Sequence, residues 1–478
     1  MKKILNENVV LAIDLDGTLT PVDTLYELVL KLFFSNPILV LLFPFWLFYG
    51  KAFFKLQISR RVEFCPKNIP YNTSLIVWIR EQKKEGREIA LCTGSDELVA
   101  NAVAEHLGFF DYVLASDGCI NNVGRNKKSL LDTNFGIKGY DYVGNSSDDI
   151  DVWTGSRSGI LVATSKRVTA RAIKNCNIIK QFDAQSTTFS SWKNFFRIEQ
   201  WTKNLLLFLP IIALHDFTNL SSLIALIWAF FAFSLCASAG YIFNDLVDLE
   251  SDRSHPSKYQ RPLAAGIVST KFALILLIFL LLLGGLIASA IGFSFQCGLA
   301  LYVVSSTLYS SVFKRYVLLD CVVLAGLYTL RIICGGIVAD ITPSFWLLAF
   351  SSFMFLSLAL EKRYAEINLH ILEGKSELSG RGYILKDAPI VAVMGIVAGY
   401  SSVLLLSLYL NSEVVKSLYN KPNLIWLGVP ILLFWISRLW LKAHRGEIYE
   451  DPIVFTLRDK GSLTLISLLA VVFILALL

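Results

Sequence analysis

Charge is scarce in this chain. Asp, Glu, Lys and Arg supply only 17% of its 478 residues, against 54% hydrophobic residues and a mean hydropathy of +0.56. That balance excludes a soluble globule and indicates a membrane protein with a polar end. Paired cysteine motifs are missing too: eight cysteines are scattered with no CxxC pair, so they are expected as reduced, buried thiols. The five histidines are dispersed, and only His255 stands in a suggestive place. No short basic leader with a cleavage site is recognisable. The net charge of +6 is modest and reads mostly as a topology signal, with no nucleic-acid partner implied.

What the chain does have is a run of acid at the end of an apolar segment. Asn244-Asp245-Leu246-Val247-Asp248-Leu249-Glu250-Ser251-Asp252 directly follows the apolar residues 223–243. On one continuous helix Asp245, Asp248 and Asp252 fall at i, i+3 and i+7 and face one side. Such a face repels itself, and a hard divalent cation carrying a diphosphate, Mg2+ above all, is its natural occupant. His255-Pro256 should end that helix, leaving Lys258 and Arg261 to grip phosphate oxygens that the metal leaves free. The bland alternative is a solvated acidic helix end; against it, Asn244, three aspartates and a basic tail occur together at one membrane boundary.

The stretch resembles NDxxDxxxD, the first aspartate-rich motif of the UbiA superfamily of intramembrane prenyltransferases. Arg197-Ile-Glu-Gln-Trp201-Thr-Lys203-Asn204, His255-Pro256-Ser-Lys258 through Arg261-Pro262, and Arg445-Gly446-Glu447 before Asp451-Pro452 are similar to its polyprenyl-phosphate phosphoribosyltransferase branch. The resemblance runs from about residue 197 to the C-terminus. It implies that the diphosphate belongs to phosphoribosyl pyrophosphate and that the acceptor is a polyprenyl phosphate. It also implies Asp245 and Asp248 as catalytic, Asp245, Asp248 and Asp252 as metal ligands, and Lys203, Asn204, Asn244, Lys258 and Arg261 as substrate contacts.

Nine apolar segments read as spans: 201–214, 223–243, 272–291, 295–313, 317–338, 345–360, 389–410, 424–441 and 463–478. Several fall short of the roughly 20 residues that cross a bilayer upright, the first most clearly. Loops on the side of the N-terminus carry most of the Lys and Arg, Lys375 and Arg381 among them, whereas the opposite loops hold only Lys416 and Lys421. The bias places the aspartate motif and the N-terminus in the cytoplasm, as expected for a bacterial inner-membrane protein.

Upstream, Val9-Val10-Leu11-Ala12-Ile13 reads as a buried strand that ends in Asp14-Leu15-Asp16-Gly17-Thr18. Two carboxylates one residue apart at a strand's C-terminal end point the same way, toward the crevice where open α/β sheets bind ligands. This is similar to DxDGT, the first motif of the haloacid dehalogenase superfamily. Ile89-Ala-Leu-Cys-Thr93-Gly94-Ser95 resembles the second motif, Lys127 with its rival Lys128 the third, and Gly144-Asn145-Ser146-Ser147-Asp148-Asp149 the fourth. The resemblance implies a phosphatase in which Asp14 attacks phosphorus, Asp16 is the acid and base, Thr93 and Lys127 hold the phosphoryl group, and Asp14, Asp16, Asn145 and Asp149 hold Mg2+. Asn145 replaces a usual aspartate and should weaken the metal site, so the alternative is a degenerate scaffold.

The apolar stretch 28–54, within a cap of about 26–60, should not cross the bilayer. A single span there would put Asp14 and Thr93 on opposite sides of the membrane. It reads either as an interfacial hairpin, with Trp46, Phe48, Phe53 and Phe54 against lipid, or as an ordinary helical cap.

Where other members of the superfamily carry a second aspartate-rich motif, this chain has Glu361-Lys362-Arg363-Tyr364-Ala365-Glu366. Adjacent cations suit a second substrate that brings phosphate without metal. Tyr309, Lys314, Asp320, Tyr328 and Arg331 lie on two successive spans, where Asp320 and Arg331 are costly unless they face the interior, as pocket residues or as an ion pair.

The expected architecture is therefore multi-domain. An α/β Rossmann-like haloacid dehalogenase fold occupies 1–179, a linker and interfacial helix 180–196, and an all-α membrane domain of about nine transmembrane helices 197–478. The expected function is Mg2+-dependent transfer of 5-phosphoribose to a polyprenyl phosphate, followed by removal of the 5-phosphate. The alternatives are prenyl transfer to an aromatic acceptor and a non-catalytic binder of lipid phosphates. Homo-oligomer formation stays open.

Overall fold

In a computed structural model, residues 9–183, 188–215, 219–255, 258–372, 382–411, 418–448 and 451–478 are described. Pro256, Lys375, Arg381, Lys416 and part of the expected linker, 184–187, lie outside them. The chain forms two compact units, residues 1–195 together with 245–275, and residues 196–244 together with 276–478. The sequence-based boundaries assign 245–275 to the membrane domain; in the structure these residues pack into the first unit.

The first unit is built on six parallel strands, β1 (Val10–Ile13), β2 (Ile89–Asp96), β3 (Tyr112–Ser116), β4 (Tyr140–Gly144), β5 (Ser158–Val162) and β6 (Asn177–Phe182). Their order is β3-β2-β1-β4-β5-β6. All neighbouring pairs run parallel. Strands β1, β4 and β5 are buried throughout; β1 is apolar along its whole length, as a strand covered on both faces should be, whereas β4 carries the buried Asp141, which pairs with Arg87 and Arg157. The strand order reverses at β1, so the ligand crevice opens beyond the C-terminal ends of β1 and β4.

The stretch 28–54 folds as helices that turn back on the sheet: α1 (Thr24–Ser35), a 3-10 helix Pro37–Leu42, and the helices Phe43–Phe48 and Lys51–Ser59. Leu28, Leu32, Trp46 and Phe54 join the core of Leu11 and Ile13. Of the two readings, Trp46 and Phe54 follow the ordinary helical cap; Trp46 is 4% exposed and lies under the Arg61 guanidinium at 4.8 Å. The tip is different. Ile38, Leu41, Phe45 and Phe48 are exposed, Phe48 to 86%.

Seven helices of the chain are long and apolar enough to cross a membrane among the described residues, beginning with Leu220–Val247 and ending with Lys460–Leu477. Two of the nine expected spans are not among them. Segment 201–214 forms a 3-10 stretch, Ile198–Phe208, and a six-residue helix, Leu209–Leu214, because Lys203, Asn204 and Pro210 interrupt its apolar run. Segment 295–313 forms the helix Phe293–Ser311, which carries Ser, Thr and Gln along its length. Small residues bring helices together: a Cβ on Gly395 would stand 2.2 Å from the Trp440 ring. The described cysteines are all free, but Cys119 and Cys297 are exposed and Cys65 and Cys176 only partly buried, so the expectation of burial holds for Cys92, Cys236, Cys321 and Cys334 alone.

Candidate functional sites

In the first unit, Asp14 follows β1 and Thr93 lies on β2. Asp14 Oδ1 accepts from the Leu15 amide at 2.9 Å and pairs with Lys127 Nζ, also at 2.9 Å. Lys127 Nζ further donates to the Tyr142 hydroxyl at 2.9 Å and lies 3.6 Å from Asp149 Oδ1. Lys128 is elsewhere, beside Gly155, where an added Cβ would meet its Cε at 2.8 Å. Burial pushes the Asp14 carboxyl up to about 7, against the pull of Lys127. For Lys127, burial acts to lower the ammonium, yet Asp14 and Asp149 outweigh it and hold it above its ordinary value.

Asp16 is fixed by two donors, the Thr24 amide at 2.9 Å and the Ser95 hydroxyl at 2.5 Å. The first of these sets the start of α1, whose N-cap is Asp23. Gly17 has φ +73°, and a Cβ there would stand 2.0 Å from Asn145 Nδ2, so the first motif's turn needs glycine to let Asn145 approach. Asp149 is fully engaged: Oδ1 accepts from the Tyr142 hydroxyl at 2.6 Å, and Oδ2 from the amides of Asn145 and Ser146 and the Ser146 hydroxyl. It ties down the loop that presents Asn145. Thr93 is fully buried and accepts from the Ser95 amide at 3.0 Å.

The aspartate run does not form one continuous helix. Helix Leu220–Val247 ends after Asp245, Asp248 sits between helices at φ -90° and ψ 9°, and a second helix, Leu249–Ser254, carries Asp252. That break overturns the i, i+3, i+7 placement: Asp248 takes the N-cap position of the second helix, without a side-chain capping hydrogen bond. Arg261 Nη1 bridges Asp245 Oδ1 at 3.2 Å and Asp252 Oδ2 at 2.5 Å. Lys258 is exposed on a short 3-10 turn. Among the described residues no three His, Cys, Asp or Glu gather into a ready metal cage. The donor set still fits a hard cation: a positive group already occupies the space between Asp245 and Asp252.

In the second unit, Lys203 and Lys362 share one carboxylate oxygen, Asp451 Oδ2, at 2.6 and 3.0 Å. Asp451 caps the helix Pro452–Arg458. Burial would raise its carboxyl, but the two lysines hold it well below the usual range. Beside Lys362, Glu361 is fully buried, and neither of its carboxylate oxygens has a hydrogen-bond partner among the described residues. The same holds for Asn244 Oδ1.

Asp320 pairs with Arg363, Oδ2 to Nε 2.8 Å, and accepts from the Tyr383 hydroxyl at 2.7 Å. Arg363 also reaches Glu366 and donates to the Tyr309 hydroxyl at 3.4 Å. Arg363 is thus a buried tie between helices Leu319–Ala339 and Phe345–Leu372, 2% exposed. Arg331 does not pair with Asp320; it donates to Asn204 Oδ1 at 2.9 Å, Tyr302 at 3.0 Å and the Leu327 carbonyl at 2.6 Å. Tyr328 places its ring 5.5 Å from Lys203 Nζ. Lys314 sits half-buried on the 3-10 turn Phe313–Arg315. Sequence alone does not single out Ser95, Tyr142 or Asp23 as functional, and offers Asp451 only as part of a motif.

These features define an integral membrane protein whose helical bundle is joined in one chain to an α/β unit built on a six-stranded parallel sheet. Residues 205–448 match the UbiA prenyltransferase family, and the chain belongs to that family. It is 33% identical over 466 residues to the uncharacterized protein y4nM of Sinorhizobium fredii, covering 97% of this chain and 90% of that one. Nodulation protein NoeC of Azorhizobium caulinodans is 35% identical over 291 residues, 60% of this chain and 93% of NoeC. Decaprenyl-phosphate phosphoribosyltransferase of Mycolicibacterium smegmatis is 35% identical over 179 residues, 36% of this chain and 56% of that enzyme.

Proposed function

We propose that the chain transfers 5-phosphoribose from phosphoribosyl pyrophosphate to a polyprenyl phosphate and that its N-terminal unit then removes the 5-phosphate. The observation that carries the transfer reading is the Lys203–Asp451–Lys362 triad. Two cations on one carboxylate oxygen suit a lipid monophosphate, a second phosphate substrate without its own metal. Similarity to a decaprenyl-phosphate phosphoribosyltransferase supports the same substrates.

Asp245, Asp248 and Asp252 would hold Mg2+, with Asn244 beside them. Bound there, the ion would offset charge on the departing diphosphate. Arg261 and Lys258 would take diphosphate oxygens, Arg261 leaving its two aspartates as the donor enters. The C1–O bond to diphosphate breaks, a lipid phosphate oxygen bonds to C1, and diphosphate departs. Arg331 holds Asn204, and the Asp320–Arg363–Tyr309 tie holds the helix that carries Lys362.

The product keeps a 5-phosphate ester. Asp14 would attack its phosphorus, Lys127 and Thr93 would steady the phosphoryl oxygens, and Asp16 would protonate the leaving ribose oxygen and then activate water. Asp14, Asp16 and Asn145 would hold the Mg2+ of this step, with Asp149 supporting their loop. Both sites are assigned to the cytoplasmic face of a bacterial inner membrane, from the Lys and Arg bias of the loops.

The test is purified protein in lipid nanodiscs with Mg2+, a polyprenyl phosphate and either phosphoribosyl pyrophosphate or geranyl diphosphate with an aromatic acid. Consumption of the first donor alone supports the reading. Consumption of the second alone makes the chain a prenyltransferase in the narrow sense.

A further inference from the structure

The first unit joins two stretches of chain that lie more than two hundred residues apart, and the join is specific. Arg253 sits on helix Leu249–Ser254, next to Asp252. Its guanidinium donates twice to Glu27, Nη1 to Oε2 at 2.8 Å and Nη2 to Oε1 at 2.6 Å. The third nitrogen, Nε, donates to the Ala264 carbonyl at 3.0 Å. The two side chains are 7% and 11% exposed. One residue thus closes the aspartate loop on itself and fastens it to α1.

The surroundings repeat the design. One turn along α1, Lys31 pairs with Glu250 at 2.7 Å, so positions i and i+4 of one helix meet i+3 and i of the other. Beyond the helix, the loop backbone comes so close to the phosphatase fold that a Cβ on Gly266 would stand 2.7 Å from Pro21 Cγ and 3.2 Å from both Pro70 and Val22. Gly266 has φ +73° as well, so both the conformation and the close approach call for glycine. At the other end of the same helix, α1 begins at Thr24, whose amide holds Asp16 Oδ1 and whose hydroxyl meets Ser95 Oγ at 2.9 Å. Glu27 is therefore less than one turn from the residue that anchors Asp16.

We propose that Glu27 and Arg253 are positioning residues: the phosphatase fold, through α1, sets the conformation of the loop that presents Asp248 and Asp252 to the diphosphate donor. The inference rests on the transferase reading of that loop. A carboxylate and a guanidinium joined by two parallel hydrogen bonds fix distance and angle together, which a single bond or a lysine would not. Arg261, which bridges Asp245 and Asp252, is then free to exchange those carboxylates for donor oxygens while Arg253 keeps the loop in place. The fused phosphatase acts here as a structural part of the transferase, independent of its own turnover.

The experiment uses the full chain in nanodiscs with Glu27→Gln, Glu27→Arg, Arg253→Glu and the exchange variant Glu27→Arg/Arg253→Glu. Each is assayed for KM and kcat with the diphosphate donor that the wild type consumes, for the Mg2+ needed for half-maximal rate, and for hydrogen exchange of peptides spanning 249–268. The single variants should raise the donor KM or the Mg2+ requirement about tenfold or more, the factor one charge-assisted hydrogen bond carries, and should lose exchange protection in those peptides. The exchange variant should recover most of both. Unchanged kinetics and protection in the single variants overturn the proposal, as does an exchange variant no better than its parents. If the reversed charges prevent folding, the isosteric Glu27→Gln is read by the same two measures. A wild type that consumes prenyl diphosphate instead refutes the substrate assignment and leaves this test intact, since exchange protection does not depend on the donor.

Discussion

Replacing Lys127 with methionine would remove the cation that pairs with two buried carboxylates, at 2.9 Å from Asp14 and 3.6 Å from Asp149, in a site where the three side chains are 5%, 10% and 2% exposed. Breaking a buried pair by deleting one partner costs about 3–5 kcal/mol, because the other charge stays behind without compensation. For a unit of this size each kcal/mol moves the melting temperature by about 2–4 °C, so a drop of about 6–20 °C is expected. Phosphomonoester hydrolysis should fall about a hundred- to a thousandfold, the usual effect of losing one preorganised donor to a developing anion. The assay is thermal unfolding of the purified full chain together with phosphate release from a small phosphomonoester in Mg2+, run beside Lys128→Met. Lys128 packs against Gly155, away from Asp14, so its variant should keep both properties near wild type. A Lys127→Met protein that melts and hydrolyses like wild type, or a Lys128→Met protein that loses hydrolysis, refutes the placement.

Asp248→Asn should nearly abolish transfer while the protein stays folded and membrane-inserted, since it removes charge without exposing apolar surface; wild-type turnover at ordinary Mg2+ would contradict the metal assignment. Asp14→Asn should accumulate the lipid product with its 5-phosphate, which mass analysis distinguishes from the dephosphorylated lipid of the wild type. If both stop at the 5-phosphate in excess Mg2+, the N-terminal unit is a scaffold. The exposed cap tip should rest on lipid: a tryptophan at Phe48 should be quenched by brominated lipids in nanodiscs, whereas one at Ile137, exposed elsewhere on the α/β unit, should not. Equal quenching at both positions, or none at Phe48, would make the tip an ordinary solvent-facing cap.

The parts of the sites that were legible in sequence are those whose chemistry is compressed into a few consecutive residues. Asp14, Asp16, Thr93 and the aspartate run announce themselves by type and spacing at the end of an apolar strand or helix. What was not legible lies in contacts across long separations. Lys203 and Asp451 meet 248 positions apart, and Arg253 and Glu27 226 apart, so nothing local pairs them. The continuous helix expected through Asp248 is interrupted there, at φ -90° and ψ 9°, without a side-chain capping hydrogen bond that the sequence could have announced. Arg363 was read as a substrate contact because two cations stand together in sequence. Adjacent helical residues point about 100° apart, and the structure turns Lys362 to Asp451 and Arg363 to Asp320. Whether Trp46 faces lipid or core stayed open in the sequence, because an apolar aromatic suits both; the structure buries it with Leu28, Leu32 and Phe54 in the core of Leu11 and Ile13.

The measurement that bears most directly on the whole account follows labelled phosphoribosyl pyrophosphate with the purified wild-type chain, Mg2+ and a polyprenyl phosphate, resolving the lipid products by mass. The account predicts a lipid that gains phosphoribose, only when Mg2+ and lipid phosphate are both present, with diphosphate released in equal amount. No label in the lipid fraction under these conditions, with prenyl diphosphate consumed in its place, would contradict it.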